Sequence, residues 1–171
     1  MREEYQRVFA TVDLDAICSN MEKMKANVAE HTKLIGVIKT DGYGHGAVPI
    51  ARELEKLPFV WGYATATAEE AFILRHDEMK KPILILGYTF PYSYERLITE
   101  EIRMAVFRKD MLLQLSEKAR RLGKKAKIHI KVDTGMGRIG VRPDQEGLDF
   151  VKFVMEHPGL EGEGIFTHLA K

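Results

Sequence analysis

Four side chains, Lys39, Lys131, Arg138 and His168, stand where apolar runs give way to polar residues and glycine. Leu34 to Ile38 is apolar and ends at Lys39; Gly42, Gly44 and Gly46 follow. The run is short, β-branched and bounded by turn residues, which predicts a buried strand feeding a loop. Side chains alternate along a strand, so Lys39 is expected on the face of Val37 and Ile35. An amine held among apolar neighbours gives up its proton more readily than a solvated one. In that state a lysine can attack an aldehyde and form a Schiff base. Lys131 and Arg138 are two cations that would repel each other in one pocket. His168 sits at the end of the last apolar run and shares parity with Phe166 and Gly164. From spacing alone, each of these residues also reads as an ordinary surface group.

Other patterns carry less. Gly135-Met-Gly-Arg-Ile-Gly140 satisfies the dinucleotide fingerprint G-x-G-x-x-G and follows a strand-like run. Arg142-Pro143 interrupts before a helix can form on those glycines, which would leave a pyrophosphate without its helix N-terminus. The glycines after Lys39 do not make a Walker loop, because the lysine precedes them. His45 reads as a loop hydrogen-bonder. No spacing of His, Cys and carboxylates suggests a metal site.

The elements that must position these residues follow from periodicity. Val8 to Val12 reads as a strand, and Asp13 can cap the helix after it. Leu14, Ile17, Met21, Met24 and Val28 form one helical stripe. The strand ending at Lys39 comes next, then a helix over residues 47–57 with Pro49 in its first turn. Phe59 to Tyr63 is a strand, and Thr67-Ala-Glu-Glu70 is a capping box opening a helix. Strands are expected at 82–86, 103–107, 127–133 and 160–167. Helices are expected near 94–100, over the stripe Leu112, Leu115, Ala119 and Leu122, and over 144–156. Six strands after the opening one thus alternate with helices, the pattern of a parallel sheet with crossover helices. An open doubly wound sheet and a barrel both fit that pattern. One stretch favours the barrel: along Ile128-His-Ile-Lys-Val-Asp133 branched apolar residues alternate with His129, Lys131 and Asp133. Buried parallel strands usually read apolar on both faces, whereas a barrel interior that ends in an active site explains one polar face.

Four stretches carry a resemblance to a known family. Val37-Ile-Lys-Thr-Asp-Gly-Tyr-Gly-His-Gly46 resembles the pyridoxal-phosphate lysine motif of the alanine racemases. Ile130-Lys-Val-Asp-Thr-Gly-Met-Gly-Arg-Ile-Gly140 resembles their mid-barrel motif, and Gly162-Glu-Gly-Ile-Phe-Thr-His-Leu-Ala170 the segment bearing their ring-contacting histidine. The opening Thr11-Val-Asp-Leu-Asp-Ala-Ile17 also fits, so the resemblance covers essentially the whole chain. It implies an α/β fold, the pyridoxal-phosphate-binding (β/α)8 TIM barrel, present here as about six βα units over residues 1–171. The opening strand 8–12 would pair with a C-terminal β-domain beyond the chain.

The resemblance also implies roles. Lys39 is the Schiff-base lysine and the base on one face of the substrate; a tyrosine from the partner subunit of a homodimer serves the other. Tyr43 contacts the cofactor phosphate. Arg138 contacts the cofactor's phenolic oxygen and the substrate carboxylate. Lys131 matches a position carbamylated in many members, which turns the amine into an anion that holds the arginine. His168 contacts the ring, and Leu84 or Leu86 packs near it. The implied reaction is interconversion of L- and D-alanine for peptidoglycan synthesis. A serine or broad-specificity racemase shares these motifs, and a pyridoxal-phosphate homeostasis protein shares the barrel without robust catalysis. The 171 residues alone are expected not to racemise, and to associate through open sheet edges.

Composition narrows the partners. Twenty-six basic and 25 acidic side chains leave a net charge of +1, so no general field attracts nucleic acid or a membrane surface. The single cysteine, Cys18, excludes an internal disulfide and fits a reducing cytoplasm. Met1-Arg-Glu-Glu-Tyr has no apolar signal core, and no apolar run reaches membrane-spanning length.

Overall fold

The computed structural model describes residues 8–170. Met1 to Tyr5, on which the signal-core reading rests, lie outside them. Six parallel strands form one sheet in strict chain order: β1 (Leu34–Val37), β2 (Val60–Thr65), β3 (Ile83–Ile85), β4 (Arg103–Val106), β5 (Ala126–Val132) and β6 (Leu160–Thr167). A doubly wound sheet reverses its order at a switch point. No reversal occurs here, so the sheet is six consecutive strands of a barrel wall.

Helix α1 (Leu14–Ala26) precedes β1, and helices α3 (Ala47–Glu55), α4 (Ala68–His76), α5 (Tyr94–Thr99), α6 (Lys109–Arg121) and α7 (Gln145–Glu156) lie between successive strands in sequence. The core is the seam between this layer and the outward face of the sheet. Tyr63, Ile83, Ile85, Met104, Ile128 and Ile130 meet Leu54, Leu74, Leu97, Leu112, Leu115 and Phe150 there. Each such aliphatic burial contributes about 1.5–3 kcal/mol. Gly62 is required by this packing: a Cβ on it would stand 2.2 Å from the Pro82 carbonyl oxygen.

Local signals place the helices. Asp13 accepts the Ala16 N–H at 2.9 Å and caps α1. Thr67 accepts the Glu70 N–H and caps α4. The stripe on α1 is buried in part: Leu14, Ile17 and Met21 pack on the core, while Met24 stays exposed, as does Val28, which lies beyond the end of the helix.

Two expectations need correction. Val8 to Val12 forms no strand; these residues are exposed and without regular structure. β propensity does not make a strand where no neighbour takes up the backbone groups. Also, β1 stops at Val37 rather than running to Lys39. Lys39 instead opens α2 (Lys39–Tyr43), which is wound left-handed: Thr40, Asp41 and Gly42 have φ of 55°, 50° and 63°.

Candidate active site

β1 and the turn after it deliver the first pair of side chains. Val37, Lys39 and Tyr43 line one cavity of about 300 Å3 at the C-terminal ends of the strands. Lys39 Nζ stands 5.8 Å from the centroid of the Tyr43 ring. The backbone between them is costly, because a left-handed residue other than glycine carries a penalty of about 1–2 kcal/mol. Hydrogen bonds hold it. The Thr40 N–H donates to Glu70 Oε1 at 2.9 Å, and Asp41 Oδ1 accepts the Ala47 N–H at 2.8 Å. The Gly46 N–H donates to the Asp41 carbonyl at 2.9 Å. His45 Nδ1 lies 3.1 Å from the Gly42 carbonyl and 3.2 Å from that of Tyr43, bracing the same turn.

The capping box is therefore only half formed. Glu70 Oε2 accepts the Ala66 N–H at 2.7 Å and Oε1 takes Thr40, rather than closing back on Thr67.

β5 and its following loop bring the second pair. Lys131 is 4% exposed, on the concave face of the sheet, with Nζ 4.9 Å from the Phe166 ring centroid. Burial lowers its pKa, and the Arg138 charge adds to that, while Asp133 opposes it. Asp133 does not pair with Lys131. Its carboxylate accepts the N–H groups of Gly135, Gly137 and Arg138 at 3.0, 3.0 and 3.1 Å. These bonds hold its pKa below the usual carboxylate range and clamp the loop that carries Arg138. The loop closes on β5 through reciprocal backbone bonds, Asp133 N–H to Val141 and Val141 N–H to Lys131, both 2.9 Å. Gly140 sits at that closure with φ of 138°. No helix rises from these glycines; α7 begins only at Gln145, with Asp144 as its cap.

β6 supplies the far wall. Phe166, Thr167 and His168 line the cavity, as do Lys131, Arg138 and Leu86. Thr167 Oγ1 and Thr134 Oγ1 are 2.8 Å apart, tying the Arg138 loop to β6. Lys39, Tyr43, Lys131, Arg138 and His168 thus share one cavity, and the leucine that joins them is Leu86. Beneath Lys131 lies a cluster that sequence reasoning missed. Arg103 makes a bidentate pair with Glu163, at 2.7 and 2.9 Å, with side chains 11% and 20% exposed. His129 lies 3.7 Å from the same carboxylate, too long for a hydrogen bond, and its buried Nε2 has no partner. The polar parity of His129 along β5 was the available signal; Arg103 and Glu163 are too far apart in sequence to announce their pairing.

The donor set fits pyridoxal phosphate. An aromatic aldehyde bearing a phenolic oxygen and a phosphate needs an amine, an anion-binding cation, a hydroxyl and apolar walls. Lys39, Arg138 and Tyr43 supply the polar groups, and Val37, Leu86 and Phe166 the walls. Among the described residues, no group of His, Cys, Asp and Glu could hold a metal ion, and no helix is long and apolar enough to cross a membrane.

The family model described as alanine racemase, N-terminal domain, matches residues 12–171. An alanine racemase of Clostridium perfringens is 44% identical over 95% of this chain and 42% of its own length, and one of Symbiobacterium thermophilum is 41% identical over the same shares. The chain therefore spans less than half the length of these curated relatives. Among solved structures, an alanine racemase of Clostridium difficile superposes with a TM-score of 0.89 at 39% identity, covering 92% of this chain and 41% of that one. A histidine racemase of Leuconostoc mesenteroides superposes with a TM-score of 0.81 at 28% identity, over 92% and 42%. On the domain match, the identity to these relatives and the shared fold, this chain belongs to the alanine racemase family and corresponds to its N-terminal domain.

Proposed function

We propose that this chain is the cofactor-binding part of a pyridoxal-phosphate-dependent racemase that interconverts L- and D-alanine. The observation that carries the reading is the convergence of Lys39, Tyr43, Lys131, Arg138 and His168 on one cavity with apolar walls. When bound, pyridoxal phosphate supplies an electron sink that acidifies the substrate's Cα–H bond. Lys39 holds the cofactor covalently and moves the Cα proton on its own face. The Tyr43 hydroxyl donates to the phosphate. Arg138 would bind the phenolic oxygen and the substrate carboxylate, and His168 would contact the ring. Lys131 carries a carbamate. An unmodified amine would place a second cation beside Arg138 in a largely buried position, and a carbamate turns that repulsion into a charge-assisted bond.

Racemisation needs a second acid–base group on the opposite face. In this reading a tyrosine of the partner subunit in a homodimer supplies it, so residues 1–171 alone exchange the Cα proton without inverting the centre. The setting is the cytoplasm and the use is peptidoglycan synthesis. The histidine racemase neighbour supports one second reading: the same barrel serves another amino acid.

The test is an assay of the complete protein containing this chain against L-alanine, L-serine and L-histidine, with and without Lys39→Ala. Conversion of alanine at the highest kcat/KM, lost in the variant, supports the reading. Preference for serine or histidine replaces the substrate, and turnover surviving Lys39→Ala removes the mechanism.

A further inference from the structure

We propose that Glu70 is a positioning residue for Lys39: its carboxylate pins the left-handed turn that aims the lysine amine and the Tyr43 hydroxyl into the cavity. The proposal rests on the cofactor reading above for its chemical consequence, but its structural half stands on the turn itself. Thr40, Asp41 and Tyr43 are all left-handed, with φ of 55°, 50° and 56°. For a β-branched residue such as Thr40 that conformation is an outlier. Strain of this kind persists only where the surroundings over-determine it.

Glu70 is that surrounding at the strained end. One oxygen accepts the Thr40 N–H at 2.9 Å and the other the Ala66 N–H at 2.7 Å. Ala66 directly follows β2, whose partner β1 directly precedes the turn. A single carboxylate therefore ties the exit of one strand to the exit of its neighbour, next to Lys39. The cap of α4 does not need Glu70's carboxylate, because Thr67 Oγ1 receives the Glu70 N–H through the backbone. Removing the carboxylate should loosen the turn while leaving α4 capped. Gln keeps the shape but has one accepting oxygen, so it can hold only one of the two amides.

The experiment compares the full chain with Glu70→Gln, Glu70→Ala and the double variant Thr40→Gly/Glu70→Ala. Hydrogen–deuterium exchange on cofactor-free protein reads the turn directly. Borohydride trapping of added pyridoxal phosphate, followed by peptide mapping, reads the lysine. Expected for Glu70→Ala is exchange at Thr40 and Ala66 faster by about tenfold, the worth of one hydrogen bond, with α4 unchanged. Trapping at Lys39 should slow by a similar factor. Glycine adopts positive φ without steric cost, so Thr40→Gly should restore much of the trapping rate. A merely stabilising role for Glu70 would show no rescue from a change at position 40. Glu70→Gln is the variant to read if Glu70→Ala does not fold, and should speed exchange at one of the two amides only.

Unchanged exchange at Thr40 in both Glu70 variants overturns the proposal. Faster exchange with unchanged trapping overturns the link to Lys39. Faster exchange in a chain whose unaltered form never traps the cofactor on Lys39 supports the turn-holding role and overturns the cofactor reading.

Discussion

Replacing Gly140 by alanine should dislodge the loop that presents Arg138, and a matched control separates the two causes. Gly140 has φ of 138° and Gly135 has φ of 129°, so both lie where a side chain is strained. Their surroundings differ. A Cβ on Gly135 meets nothing within 4 Å, whereas one on Gly140 would stand 2.5 Å from the Asp133 backbone nitrogen and 2.7 Å from the Val132 carbonyl carbon. That is roughly 0.9 Å short of the 3.4 Å at which ordinary contact begins. The obstacle is backbone of β5 and cannot swing aside. Backbone strain costs each variant about 1–3 kcal/mol. Overpacking adds about 1–3 kcal/mol for Gly140→Ala alone. The difference between the variants is therefore about 1–3 kcal/mol in urea unfolding. Relief comes by lifting the loop from β5, which breaks the Asp133–Val141 closure and shifts Arg138. Affinity for pyridoxal phosphate, followed by titration, should fall by about tenfold or more in Gly140→Ala and less in Gly135→Ala. Equal stability and equal affinity in the two variants would refute the claim that loop closure on β5 places Arg138.

Two further outcomes follow from the cluster beneath Lys131. Glu163→Gln should cost about 1–3 kcal/mol by leaving Arg103 without its counter-charge in a mostly buried site, and Arg103→Met in the same chain should recover part of that; a double variant less stable than the single one contradicts it. His129 is held below its ordinary pKa by burial, which outweighs the nearby Glu163. The unfolded imidazole binds its proton near pH 6.5 and the folded one only at lower pH, so stability falls as pH drops from about 6.5 towards the folded value and is flat above. Urea unfolding at about pH 7.5 and about pH 5.5 should show a smaller acid loss in His129→Phe than in the parent; an equal loss would place the titration elsewhere.

How much of this was legible depended on the range of the forces involved. The six parallel strands and the α1 cap at Asp13 follow from local periodicity and a local hydrogen bond, and all were readable. The polar parity of β5 announced the concave face that carries His129 and Lys131. The left-handed turn was not readable, because Thr40 and Asp41 have no strong preference for it; Glu70 and Ala47 hold it from other elements. The same long-range bond made the capping-box reading of Glu70 half wrong. Val8 to Val12 shows the converse, a strand-like pattern with no strand partner among the described residues. Leu84 and Leu86 share one parity along β3, which left the choice open; the structure brings Leu86, just past the end of the strand, to the cavity.

The central claim is that Lys39, rather than the equally cavity-lining Lys131, is the residue that bonds the cofactor. Pyridoxal phosphate should be added to the chain, the product reduced with borohydride, and the peptides mapped by mass spectrometry. The expected product is a pyridoxyl group on Lys39, with trapping lost in Lys39→Ala and retained in Lys131→Ala. A label on Lys131, or spread over surface lysines with Lys39 unmodified, would contradict it.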